Sequence, residues 1–246
     1  YWFKMVRECK FDAFGVQEVT EKQALDFKNH LSDYEYIGYG RDNGKKQSNG
    51  AIGEQTGILF KKSSFEVLSY GRFFVSKTPQ VASKLSSSFF NRMVVWAELK
   101  DKQTDFTFYL FSTHLDHPDN KHGEKTRKKQ IKIAIKEVNK TIRNEAFLFV
   151  GDFNFKDSEA AYKVINKKWS DAFHASELPP LGGYKNGKDT YTGLYNLADT
   201  ASKRIDYIFF NPKQVSIKNY EAVNNKLGHS TYPSDHLPIV STVVFK

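Results

Sequence analysis

Phe147-Leu148-Phe149-Val150-Gly151-Asp152-Phe153-Asn154 is the stretch whose reading decides the fold of this chain. An unbroken apolar run of this kind reads as a strand buried on both faces. Gly151 ends the run, and Asp152 and Asn154 then flank Phe153. In extended backbone, residues two apart share a face, so the carboxylate and the carboxamide would point one way and Phe153 the other. The bland reading is an Asx-rich turn ahead of a helix. The chemical reading is a metal or phosphate site at a strand end, where sites gather in layered α/β proteins.

The same grammar recurs along the chain. Glu18 follows the strand-like Ala13-Phe14-Gly15-Val16 and precedes a helix cap. His114 ends the run Phe108-Tyr109-Leu110-Phe111-Ser112-Thr113. Asp206 sits between Ile205 and Tyr207-Ile208-Phe209-Phe210, where a carboxylate is costly unless partnered. His236 is the expected partner, since an Asp–His pair fixes the tautomer and raises imidazole basicity. Arg204 is disfavoured, because adjacent strand residues face opposite ways. Asp235 and His236 precede another run, Leu237-Pro238-Ile239-Val240. A His114/His117 pair would suit zinc. The other candidates are oxygen donors, which suit magnesium or manganese.

Around these clusters, strands and helices alternate. Residues 2–9 read as a helix, and Thr20 with Gln23 forms a capping box for the next one. Residues 56–61 and 65–70 read as strands joined by Lys62-Ser63-Ser64. Residues 94–99 and 106–112 read as a second pair. The longest helix is expected over residues 125–143, with Ile131, Ala134, Ile135, Val138 and Ile142 at helical spacing. Asp157 or Ser158 would cap a short helix, residues 176–193 read as a loop or lid, and residues 205–210 and 239–245 as late strands. Many short strands with few helices imply packed sheets flanked by helices. Residues 1–246 read as a single domain, and a monomer is expected.

The chain is 39% hydrophobic over 246 residues, enough for one sizeable core. No run of about 18 apolar residues predicts a membrane span. Cys9 is the one cysteine, which rules out an internal disulfide and a CxxC zinc framework. That fits a reducing compartment such as the cytoplasm, although disulfide-free secreted proteins also exist. The net charge of +9 suits a polyanionic partner such as nucleic acid, or a phosphorylated metabolite. The bland alternative is a lysine-rich solvated surface, above all at residues 121–132. No Gly-x-Ser-x-Gly elbow, Walker A sequence or dinucleotide fingerprint is present.

Taken in order, Gln17-Glu18, Ser112-Thr113-His114-Leu115, Gly151-Asp152-Phe153-Asn154, Arg204-Ile205-Asp206-Tyr207 and Ser234-Asp235-His236 resemble the endonuclease/exonuclease/phosphatase superfamily. That superfamily includes deoxyribonucleases, deadenylases, inositol polyphosphate phosphatases and sphingomyelinases. Further segments, Phe73 through Pro79 and Arg92 through Ala97 among them, resemble a bacterial subgroup of unassigned hydrolases. The resemblance implies a four-layer α/β/β/α sandwich of two mixed sheets flanked by helices. It implies a magnesium-dependent phosphoesterase, with manganese as the substitute ion. Its substrate would be a phosphodiester or phosphomonoester, a nucleic acid among the options.

Residue by residue, the resemblance makes Glu18 a metal ligand and Asp235 its helper. Asp152 would orient or deprotonate the attacking water, and Asn154 would contact the phosphate. His236 would pair with Asp206, His114 would stabilise phosphoryl oxygens, and Glu54 would support that histidine. Arg92 and Arg127 would contact the phosphate. Relatives begin with a strand bearing an asparagine, ahead of the helix that leads to Gln17-Glu18. That first strand is expected to be missing here, and an incomplete record explains this best, since losing a central strand bares two ladder edges. A non-catalytic phosphate-binding module is the alternative from another functional class.

Overall fold

A computed structural model describes residues 2–142, 144–183, 188–191, 203–224 and 234–246. The lid expected at 176–193 therefore lies partly outside the described residues. The chain runs α1 (Trp2–Cys9), β1 (Ala13–Val19), α2 (Glu21–His30), β2 (Tyr34–Gly40), β3 (Gln55–Lys61), β4 (Phe65–Phe74), β5 (Met93–Asp101) and β6 (Thr107–His114). It continues with α3 (Lys121–Thr141), β7 (Ala146–Asp152), α4 (Ala160–Asn166), β8 (Ser170–Asp171), α5 (Ala172–Ala175), β9 (Leu181–Gly182), β10 (Asp206–Phe210), β11 (Val215–Ala222) and β12 (Ile239–Phe245).

The central sheet has the order β4-β5-β6-β7-β10-β8. It is mixed, with β6 and β7 parallel and β7 and β10 antiparallel. Its middle strands β6, β7 and β10 are apolar on both faces, as the run at 147–150 implies. Phe108 and Leu110 of β6, with Ile208 and Phe210 of β10, face one core. Tyr109, Phe111, Phe147, Phe149, Tyr207 and Phe209 face the other, where Ile131, Ala134 and Val138 of α3 cover them. This period of two is what alternating strand side chains require.

The first core also takes Ile37, Ile58 and Phe60 from a sheet of order β1-β3-β2, and Ile217 and Tyr220 from a sheet of order β12-β11-β9. A third core of Met5, Val6, Ala24 and Phe27 seats α1 and α2 on the outer face of β1 and β3. The layers are thus helix, sheet, sheet, helix. The layer opposite the central sheet is in two pieces, because its end strands β1 and β12 share no ladder among the described residues.

Three local expectations change. The segments at 56–61 and 65–70 are adjacent strands but not a hairpin, since β3 and β4 belong to different sheets. Helix α3 starts earlier, because the Asn120 side chain accepts hydrogen bonds from the His122 and Gly123 amides. The residue ahead of α4 is Glu159, whose carboxylate is engaged elsewhere and makes no cap bond. The Thr20/Gln23 capping box forms as read.

Gly15 positions the site. A Cβ there would lie 2.7 Å from Ser112 Oγ and from Val150, so only glycine lets β1 settle this closely on β6 and β7. Gln17 Nε2 then donates to Ser112 Oγ at 3.1 Å, which pins the end of β1 over β6.

Candidate active site

Three site side chains stand in one row of the central sheet. His114 pairs with Asp152 across the parallel β6–β7 ladder, and Asp152 with Asp206 across the antiparallel β7–β10 ladder. Each shares its strand's face with the residues of the first core, so all three point toward the facing layer. From that layer comes Glu18, inside the register shift between Val16 and Val19. Glu18 has φ of 57°, a left-handed conformation that turns its carboxylate out of the ladder toward the row. Its Oε1 lies 3.9 Å from His114 Nε2, whose other neighbour is Asp152 Oδ2 at 3.4 Å.

His236 Nδ1 donates to Asp206 Oδ2 at 2.9 Å, and its Nε2 faces Asp152 Oδ2 at 3.9 Å. Thr190 Oγ1 donates to the same Asp206 oxygen at 2.6 Å and accepts from the Ile205 and Asp206 amides. The Thr190 carbonyl in turn accepts from the Leu237 amide at 2.7 Å, tying the segment that carries Asp235 and His236 to the row. The Tyr191 ring lies 4.9 Å from the His236 ring. Arg204 takes no part: it pairs with Asp171 at 2.7 Å, as the strand-face argument requires.

Asn154 also has a positive φ, 54°, and its amide donates to Asp152 Oδ1 at 2.8 Å. The Asx-turn reading is therefore correct, and Asp152 and Asn154 converge through a turn rather than an extended segment. The Asn154 carboxamide donates to Leu115 O at 3.1 Å and Asp152 Oδ2 at 3.2 Å. With both amide hydrogens engaged, Asn154 holds Asp152 in place and has no donor left for a phosphate.

Two further expectations are corrected. Arg127 is fully buried and does not line the recess beside Glu18 and His114. It grips Glu159 with Nη2 at 2.9 Å and the Asp116 and Pro118 carbonyls with Nη1, bracing the loop after His114. Glu54 pairs with Arg41 and makes no bond to His114. Both Arg41 and Glu54 line a recess together with Glu18, Asn91, Arg92 and His114. Arg41 and Thr190 are the residues that the sequence reading missed.

The electrostatics follow from burial. Burial and the nearby Arg92 and His236 push the His114 pKa well below its ordinary value, leaving a neutral imidazole. Burial, Glu54 and Asp235 push the Glu18 carboxyl up, against His236 and Arg92. Burial and the facing Asp206 push Asp152 up as well. Burial alone would lower His236, but Asp206, Asp152 and Asp235 override it and raise the imidazole to about 10.

Carboxyls raised by burial and mutual repulsion are the groups that a cation would relieve. Among the described residues, no three of His, Cys, Asp and Glu close into a metal cage. Glu18 and Asp235 are the carboxylates that could hold such a cation in an open magnesium-type site, where one or two carboxylates suffice and water and phosphate complete the shell.

The chain belongs to the Endonuclease/Exonuclease/phosphatase family, whose sequence model matches residues 3–236. Members of that family are phosphoester hydrolases. An endonuclease/exonuclease/phosphatase from Bacteroides vulgatus superposes with a TM-score of 0.87 at 26% identity, over 100% of this chain and 89% of that one. A mannosyl-6-phosphatase from Bacteroides thetaiotaomicron superposes with a TM-score of 0.85 at 29% identity, over 99% and 89% of the two chains. The human Nocturnin catalytic domain shares the fold, with a TM-score of 0.75 at 17% identity over 100% and 84%. A comparison with curated protein sequences finds no match.

Proposed function

We propose that this chain hydrolyses a phosphate ester by in-line attack of water, with a divalent cation, magnesium or manganese, held by Glu18 and Asp235. The observation that carries this reading is the row His114, Asp152 and Asp206 closed by His236. When bound, the cation would neutralise phosphoryl charge and stabilise the leaving oxygen. Asp152, locked by Asn154 and raised toward neutrality, takes the proton of the attacking water. His236, protonated against Asp206, presents Nε2–H to the phosphoryl group. Neutral His114 donates from Nε2 to a non-bridging oxygen.

The name of the Bacteroides thetaiotaomicron phosphatase supports a phosphate ester of this kind as substrate. The net charge of +9 favours a nucleic acid as the second reading. Against it, the exposed lysines at 121, 125, 128, 129 and 132 form the solvent face of α3, across the central sheet from Glu18. A screen of phosphomonoesters, oligonucleotides and phospholipids with magnesium or manganese tests the proposal. Turnover that chelation abolishes is expected. Absence of both metal binding and turnover would leave a binding module instead.

A further inference from the structure

Arg92 is a buried cation, 5% exposed, and among the described residues no carboxylate lies within ion-pair distance of it. Its Nη2 donates to His117 Nδ1 at 3.4 Å, and its Nε has no partner. A buried charge without a counter-ion in contact is costly unless something else supplies the opposite charge. A second guanidinium stands beside it. Arg41 lies 4.0 Å over the Phe90 ring and Arg92 lies 5.6 Å from the same ring. The Arg41 Nε is likewise buried without a hydrogen bond, although Asp42 Oδ1 lies 3.8 Å from it. Arg41 is tied to Glu54, and its carbonyl accepts from Asn91 Nδ2 at 3.1 Å, so its position is fixed from both ends. Glu54 and Asp42 thus balance Arg41, whereas Arg92 has only the more distant Asp116, Asp152 and Glu18 to offset its charge and lines the recess.

The free space in that recess is about 10 Å³, which is the room of one water-sized atom. It opens beside Glu18 and His114, where the proposed chemistry takes place. A phosphodiester offers two non-bridging oxygens and a single charge. A phosphomonoester offers a third such oxygen and a second charge. A lining that includes Arg41, Thr56, Asn91, Arg92 and His114 suits a charged, unsubstituted oxygen better than the carbon chain that a second ester bond would carry.

We infer that this pocket selects a terminal phosphate, with Arg92 receiving the third non-bridging oxygen of a phosphomonoester and Phe90 and His117 holding Arg92 in position. The inference rests on the hydrolase reading for its site but not for its test. It favours a phosphatase over a nuclease or lipid phosphodiesterase acting on internal bonds.

The test pairs turnover with binding. In magnesium, the full chain should hydrolyse para-nitrophenyl phosphate with a kcat/KM about 100-fold above that for bis(para-nitrophenyl) phosphate. By calorimetry it should bind phenyl phosphate more tightly than diphenyl phosphate. Arg92→Ala should weaken phenyl phosphate binding about 10- to 100-fold and reduce the monoester preference. Arg92→Lys should recover part of it, and covers the case in which the alanine variant does not fold. Equal or tighter binding of diphenyl phosphate by the parent chain would overturn the inference, as would a monoester preference unchanged in both Arg92 variants. Tight, Arg92-dependent phenyl phosphate binding without turnover of either ester would uphold the pocket and overturn the hydrolase reading alone.

Discussion

His236 Nδ1 and Asp206 Oδ2 lie 2.9 Å apart, joining the segment before β12 to the first residue of β10. The Asp206 carboxylate fixes the imidazole so that Nε2 faces Asp152, and Thr190 saturates the same oxygen from the other side. Asp206→Asn should therefore cost turnover through misorientation of His236, by about 100-fold or more. Combining it with His236→Ala should add little, because the two act as one unit. Steady-state kinetics of the single and double variants check this. Full additivity would separate the pair.

Asn154 separates strain from positioning. A left-handed residue other than glycine carries about 1–2 kcal/mol of strain, which asparagine tolerates best. Asn154→Gly removes the strain and also removes the two bonds from its carboxamide, to Asp152 Oδ2 and Leu115 O. Loss of turnover in both Asn154→Gly and Asn154→Ala, with the glycine variant the more stable, is the expected pattern. Full activity in the glycine variant would mean that only the backbone conformation matters.

Arg127 and Glu159 form a buried pair with 0% and 5% of their side chains exposed. Glu159→Gln leaves the guanidinium buried without its charge partner and should destabilise the protein by about 3–5 kcal/mol. Chemical denaturation measures it. A loss below about 1 kcal/mol, the level of a surface ion pair, would contradict the assignment.

Asp119 sets an acid limit. Its hydrogen bond from Lys203 holds the carboxyl below its ordinary value, with Lys156 adding and burial opposing. A depressed carboxyl contributes stability above its ordinary pKa and loses it as pH falls through the folded one. Asp119→Asn should thus melt lower than the parent chain at neutral pH and converge with it in acid. Melting curves from neutral pH downward show whether the gap closes.

The strand-end polar clusters were legible because apolar runs announce where the chain leaves the sheet. Glu18, His114, Asp152, Asp206 and His236 all stand at such ends, and the structure brings them together. Arg41 obeys the same rule, directly after Gly40 at the end of β2. It was missed because Tyr34-Glu35-Tyr36-Ile37-Gly38-Tyr39 has no clean alternation to mark it as a strand. Thr190 carries no local signal at all, since its partner Asp206 is far along the chain. Arg127 misled for the same reason. Its grip on Glu159 is a long-range pairing, and an arginine near a phosphate motif reads as a phosphate contact until that partner is seen.

The most direct measurement is steady-state hydrolysis of a phosphate ester by the parent chain and by His236→Ala, each with magnesium and with a chelator. Turnover that depends on the cation and falls by about 100-fold or more in a folded His236→Ala is the predicted result. Equal turnover in the two proteins, or turnover indifferent to the chelator, would contradict it.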